Sequence, residues 1–67
     1  MPADFSSRLK ASRELRKLTQ AELGHLAGLP STTISHFESG NRKPSFENLR
    51  RLTKVLAVST DYLMGAT

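Results

Sequence analysis

Ser31, Thr32, Ser35, His36 and Ser39 crowd one short stretch of the chain. Their side chains donate and accept hydrogen bonds, and none carries a fixed charge. The ten Lys and Arg residues lie outside that stretch. Arg8, Lys10, Arg13, Arg16 and Lys17 precede it, Arg42, Lys43, Arg50, Arg51 and Lys54 follow it, and no cation falls between Lys17 and Arg42. A polar, hydrogen-bonding segment without a cation, between two basic flanks, suits a division of labour on a nucleic acid, in which the flanks hold phosphate and the segment meets bases. Covalent chemistry is poorly provided for. Ser, His and Asp occur at no spacing that suggests a triad, the glycines form no phosphate-binding loop, and 67 residues offer little pocket. There is no cysteine, and His25 and His36 alone make a poor metal site. The expectation is a binding protein with no enzyme activity, cofactor or metal.

The polar stretch must be held by its neighbours. Gln20-Ala-Glu-Leu-Gly-His-Leu-Ala-Gly28, Leu29-Pro30 and Ser31-Thr-Thr-Ile-Ser-His-Phe-Glu-Ser39 read as helix, tight turn, helix. Leu23 and Ala27 are four apart and share a face, as do Ile34 and Phe37, three apart. With Ile34 and Phe37 inward, a helical wheel turns Thr32, His36 and Ser39 outward, with Ser35 beside them. Gly28 tolerates positive φ at the turn. Gly24 sits mid-helix, where glycine is costly, which points to close approach by a crossing helix. Such a unit, spanning about 20–39, is a helix-turn-helix, whose second helix usually reads DNA.

The rest of the chain reads as short helices around this unit. Asp4 N-caps a first helix running to about Arg16, with Phe5, Leu9 and Ser12 on one stripe. Thr19-Gln-Ala-Glu22 fits a capping box for the second helix. Gly40-Asn41 and Pro44 mark a turn, and Ser45 caps a fourth helix. Phe46, Leu49, Leu52, Val55 and Leu56 give that helix an apolar face. Ser59 starts a last short helix in which Tyr62, Leu63 and Met64 either pack on the core or form a dimer contact. No segment alternates with a period of two, so the fold class is all-α: a compact bundle of five helices. Residues 1–4 are expected to be a flexible N-terminus, 5–64 one domain, and 65–67 a C-terminal tail.

A formal charge of +4 and a pI near 10.1 favour a polyanionic partner for so small a chain. No apolar run approaches about 18 residues and no signal peptide is evident, so a cytoplasmic protein without membrane contact is expected.

Taken together, Arg8-Leu-Lys10, Arg13, Leu18-Thr-Gln-Ala-Glu-Leu23, Gly28, Thr33-Ile-Ser35, Phe37-Glu38, Ser39-Gly40, Lys43-Pro-Ser45, Leu49, Leu52, Val58-Ser59 and Asp61-Tyr-Leu63 resemble the Cro/cI-type (Xre-type) helix-turn-helix family, which includes phage repressor DNA-binding domains. The resemblance runs from Phe5 to Met64 and implies a lambda-repressor-like five-helix fold. It implies sequence-specific binding of double-stranded DNA as a transcriptional regulator, usually a repressor acting as a homodimer on a two-fold operator. On the matching positions, Ser31, Thr32 and His36 would face base edges. Gln20 would reach phosphate, and Ser39, Asn41, Arg42 and Lys43 would lie along the DNA backbone. Arg13 and Glu38 would form an ion pair tying the first helix to the third.

Each assignment has a plain alternative. Thr32 and Ser31 either meet bases, the Thr32 methyl against a thymine methyl, or are solvated helix residues. His36 bonds guanine N7 or phosphate, or is an exposed histidine with no role. Gln20 contacts phosphate or is an exposed first-turn residue. Arg42 and Lys43 are the best phosphate candidates among the charges, against a solvated turn. The chain departs from the family pattern at Pro30, where a Ser or Thr cap is common. A cap at Ser31 would start the third helix one residue later and turn Ser31 from the bases. Gly24 replaces the usual alanine, Lys17 and Ala57 stand where a helix-ending glycine is common, and Leu26 lies off the apolar face. The other readings left open are an antitoxin or other protein-interaction module, and the detached N-terminal domain of a longer regulator.

Overall fold

The computed structural model describes residues 4–65. Five helices follow in order: α1 (Phe5–Leu15), α2 (Gln20–Ala27), α3 (Ser31–Ser39), α4 (Phe46–Leu56) and α5 (Thr60–Met64). Of the expected N-terminus and tail, residues 1–3, 66 and 67 lie outside the described part, whereas Asp4 and Gly65 cap helices.

Side-chain caps start four of the helices. The Asp4 carboxylate accepts from the Ser7 N–H at 3.0 Å and the Ser6 hydroxyl at 3.0 Å. These bonds, the Ser7 N–H foremost, hold the Asp4 carboxyl below its usual pKa. Thr19 and Glu22 close the expected capping box, Glu22 N–H donating to Thr19 Oγ1 at 3.0 Å and Thr19 N–H to Glu22 Oε1 at 2.8 Å. Ser45 accepts from Asn48 N–H and Ser59 from Tyr62 N–H, at 3.1 and 3.0 Å. Only α3 begins without one: Pro30 holds the cap position, and its carbonyl accepts from Thr33 and Ile34. Ser31 is therefore the first residue inside α3, and not its cap.

The core draws on every helix: Leu9, Leu23, Ala27, Ile34, Phe37, Leu49, Leu52, Leu56 and Leu63, with Phe5, Leu18, Leu29, Val55 and Val58 packed against it. α2 and α3 pack on each other, α1 lies against α3, and α4 and α5 complete the bundle. Leu63 is fully buried and belongs to the core, while Tyr62 and Met64 are exposed. Phe46 departs from expectation. It is 72% exposed, although its spacing puts it with the apolar residues of α4. At 3.6 residues per turn it stands roughly a quarter turn from the centre of Leu49, Leu52 and Leu56. As the first residue of α4 it also has no preceding turn to lie over.

Arg8 of α1 and Arg16, its C-cap, tie the helix ends together. Arg16 Nε donates to the Leu56 carbonyl at 3.1 Å, satisfying an end group of α4. Arg8 Nη1 donates to the Tyr62 carbonyl at 2.9 Å, and its guanidinium lies 4.8 Å from the Tyr62 ring centroid. The basic flank before the helix-turn-helix is thus partly structural.

Among the described residues, two other than glycine take left-handed backbone, Lys17 at φ 58° and Ala57 at φ 57°. For an L-residue this costs roughly 1–2 kcal/mol, because Cβ crowds the following carbonyl. Ala57→Gly is therefore expected to stabilise the domain by about 0.5–1 kcal/mol, seen as a rise of several degrees in melting temperature. Ala57→Val should shift melting the other way. A fall in melting temperature for the glycine variant would show that the position is unstrained.

Candidate nucleic-acid interface

The geometry of the site begins at the α2–α3 turn. Gly28 adopts φ 71°, and the Leu29 N–H returns to the Gly24 carbonyl at 2.7 Å. A Cβ built on Gly24 would lie 2.5 Å from the Leu29 carbonyl oxygen and 3.3 Å from the Ser31 nitrogen. Gly24 thus lets the turn and the start of α3 settle directly onto α2. The close neighbour is backbone just before α3, nearer than the crossing helix that was expected.

α3 then divides into two faces. Ile34 and Phe37 are buried, and Phe37 meets the Phe5 ring edge-on at a centroid distance of 5.8 Å. Ser31, Thr32, Ser35, His36 and Ser39 are exposed. The inward anchors leave the helix little freedom to roll, so the hydrogen-bonding side chains project from a rigid element. Ser31 and Thr32 stand in its first turn and His36 one turn on, all on the solvent side as expected.

Behind this face lies a network that the sequence did not spell out. Arg13 Nε donates to Glu38 Oε2 at 2.6 Å and Arg13 Nη2 to Glu38 Oε1 at 3.0 Å, a bidentate pair. The two side chains are only 12% and 5% exposed. Arg13 Nη1 donates to the Leu18 carbonyl at 2.7 Å, pinning the α1–α2 loop. The hydrogen bonds to Glu38 hold the Arg13 guanidinium still further toward its charged form, against the opposing effect of burial. Gln20, the first residue of α2, joins this pair: its Nε2 donates to Glu38 Oε1 at 3.1 Å. The ion pair was expected from the resemblance. The engagement of Gln20 was not, and an α2 residue bonding to one on α3 leaves no periodic trace in the chain.

The loop after α3 turns at Gly40, φ 83°, with the Asn41 N–H donating to the His36 carbonyl at 3.0 Å. Asn41, Arg42 and Lys43 follow, all exposed. The Ser39 hydroxyl donates to the His36 carbonyl at 3.0 Å, so it faces its own helix end and would have to surrender that bond to donate to a phosphate. Arg51 pairs with Glu47 at 3.2 Å on the exposed side of α4. Among the described residues no His, Cys, Asp and Glu cluster could hold a metal.

A five-helix bundle that presents one helix of a helix-turn-helix in this way defines a class of DNA-binding domain. The family model described as "Helix-turn-helix" matches residues 9–63, and the chain belongs to that family, in its Cro/cI-type (Xre-type) form. It is 40% identical over 60 residues to the repressor protein C2 of Salmonella phage P22, covering 90% of this chain and 28% of that protein. The crystal structure of the P22 c2 repressor in complex with a synthetic operator superposes with a TM-score of 0.92 at 35% identity, covering 97% of this chain and 98% of that one. SinR, a master regulator for biofilm formation solved in complex with DNA, superposes with a TM-score of 0.84 at 28% identity, covering 88% and 95%. The chain spans about half the length, or less, of the first curated relatives it matches.

Proposed function

We propose that residues 5–64 form a domain that binds double-stranded DNA sequence-specifically, as a transcriptional repressor acting in the cytoplasm. The observation that carries this reading is the exposed face of α3, Ser31, Thr32 and His36, held rigid by Ile34 and Phe37 and flanked by Arg42 and Lys43. The operator-bound P22 c2 repressor, so close in fold, supports it. Thr32 and Ser31 meet base edges from the first turn of α3, and His36 meets a base one turn later. Arg42 and Lys43 hold phosphate, aided by Asn41 and Gln20. Ser39 contributes only where its hydroxyl leaves the His36 carbonyl. The domain measures 28 × 23 × 22 Å across its Cα atoms. Two copies therefore fit side by side on one face of a duplex, with reading helices about 34–36 Å apart. No helix among the described residues is long and apolar enough to cross a membrane. The binding itself calls for no cofactor and no catalytic group.

Selection from randomised duplexes tests this reading. It should return a two-fold site, and His36→Ala should change which bases are preferred at one position per half-site. A uniform loss across all sequences would remove His36 from base reading. Lys43→Ala should weaken binding to every duplex and reduce the slope of log K against log salt by roughly 0.9. An unchanged slope would exclude Lys43 from the interface. No salt-dependent binding by the wild-type domain at low salt would favour a protein-interaction module instead.

A further inference from the structure

Glu38 looks at first like half of an ion pair, but its carboxylate serves three donors. Oε2 takes Arg13 Nε, and Oε1 takes both Arg13 Nη2 and Gln20 Nε2. A carboxylate only accepts, so Gln20 must turn its amide nitrogen toward Glu38. One N–H is thereby spent inside the molecule. The second N–H and the oxygen are left at the open end of α2, where Gln20 is only half-buried. An acid this close to a phosphate backbone would repel it were its charge not balanced by Arg13 at 2.6 Å.

We propose that Glu38, charge-balanced by Arg13, is a positioning residue that fixes the Gln20 side chain so that its second N–H meets the DNA backbone. This rests on the DNA-binding reading above. The ion pair then does more than join α1 to α3: it sets the orientation of a DNA contact on α2. Because the effect passes through Gln20, its sign separates it from plain electrostatics. Removing a negative charge near DNA should by itself tighten binding. Loss of the Gln20 orientation should weaken it.

The test is a double-mutant cycle on Glu38→Gln and Gln20→Ala. Binding is read by fluorescence polarisation with a labelled random-sequence duplex of about 20 base pairs. Salt is held near 50 mM, and temperature where circular dichroism shows each variant folded. Gln20→Ala should weaken binding about 2- to 10-fold, the range of one hydrogen bond. Glu38→Gln should weaken it to a similar extent despite its lost charge, and have no weakening effect once Gln20 is alanine. Unchanged or tighter binding by Glu38→Gln with Gln20 present overturns the proposal, as does an equal loss in the Gln20→Ala background.

A second measurement needs no variant. Gln20 is the only glutamine in the chain, so its side-chain amide signals in a nitrogen-15 spectrum are unambiguous. They should show restricted fast motion beside those of exposed Asn41, and one of the two N–H signals should move when duplex is added. Motion equal to that of Asn41 overturns the proposal even where Glu38→Gln fails to fold. Absence of wild-type binding to duplex is a separate result, which defeats the DNA reading while the restricted Gln20 signal persists.

Discussion

Glu38→Ala is expected to destabilise the domain by about 3–5 kcal/mol. In a chain of this size that corresponds to a fall in melting temperature of roughly 12 °C or more. The effect is large because of what is left behind. The Arg13 side chain is 12% exposed and Glu38 5% exposed, so neither gains much from water when its partner is removed. Without Glu38, Arg13 keeps only the Leu18 carbonyl, and Gln20 Nε2 loses its acceptor. The guanidinium must then keep its charge without a hydrogen-bonded carboxylate, with Glu14 acting only at longer range, or swing out and break the α1–α2 loop contact. An exposed pair such as Glu47 and Arg51 offers the internal comparison. At 64% and 47% exposure its loss through Glu47→Ala should cost about 1 kcal/mol or less. Thermal melting of the two variants side by side checks the argument, and a negligible shift for Glu38→Ala would show that the pair is not buried in solution.

Phe37→Ala should be comparably severe, at about 3–5 kcal/mol. Phe37 is 2% exposed, contacts Phe5 edge-on, and sits one residue before Glu38 on the inner face of α3. Truncation leaves a cavity in the part of the core that holds α3 against α1, and a small bundle has few other contacts with which to close it. Total stabilities are of order 5–15 kcal/mol, with small domains at the low end, so much of the population should unfold at ambient temperature. Phe37→Leu keeps most of the buried volume and should be milder. Denaturant melts of both variants give the result. Equal midpoints for alanine and leucine would show that packing at this position does not hold α3 in place.

The two variants also separate the faces of α3. Phe37→Ala should lower affinity for all duplexes in proportion to the folded fraction. His36→Ala, its neighbour in sequence, should leave melting nearly unchanged while altering base preference. That contrast follows from the 3.6-residue period, which turns adjacent residues to different sides of the helix.

The sequence by itself determined what depends on near neighbours. Thr19-Gln-Ala-Glu22 is a capping box because both of its bonds span three residues, and the structure shows both. Gly28 and Gly40 end α2 and α3 in left-handed backbone for reasons internal to each residue. Ile34 and Phe37 against Thr32 and His36 separate into faces by periodicity alone. Pairing of Arg13 with Glu38 was readable only through resemblance to a family. The tertiary structure decided what depends on how helices cross. Arg8 reaches a carbonyl 54 residues away, Arg16 one 40 away, and Gln20 a carboxylate 18 away. No local pattern encodes those distances, because each long side chain can serve solvent, phosphate or a helix end until the packing of apolar faces brings one partner within reach. Phe46 shows the same limit from the other side. Its type and spacing suit a core, but no neighbouring helix extends to cover it, and it stays in solvent.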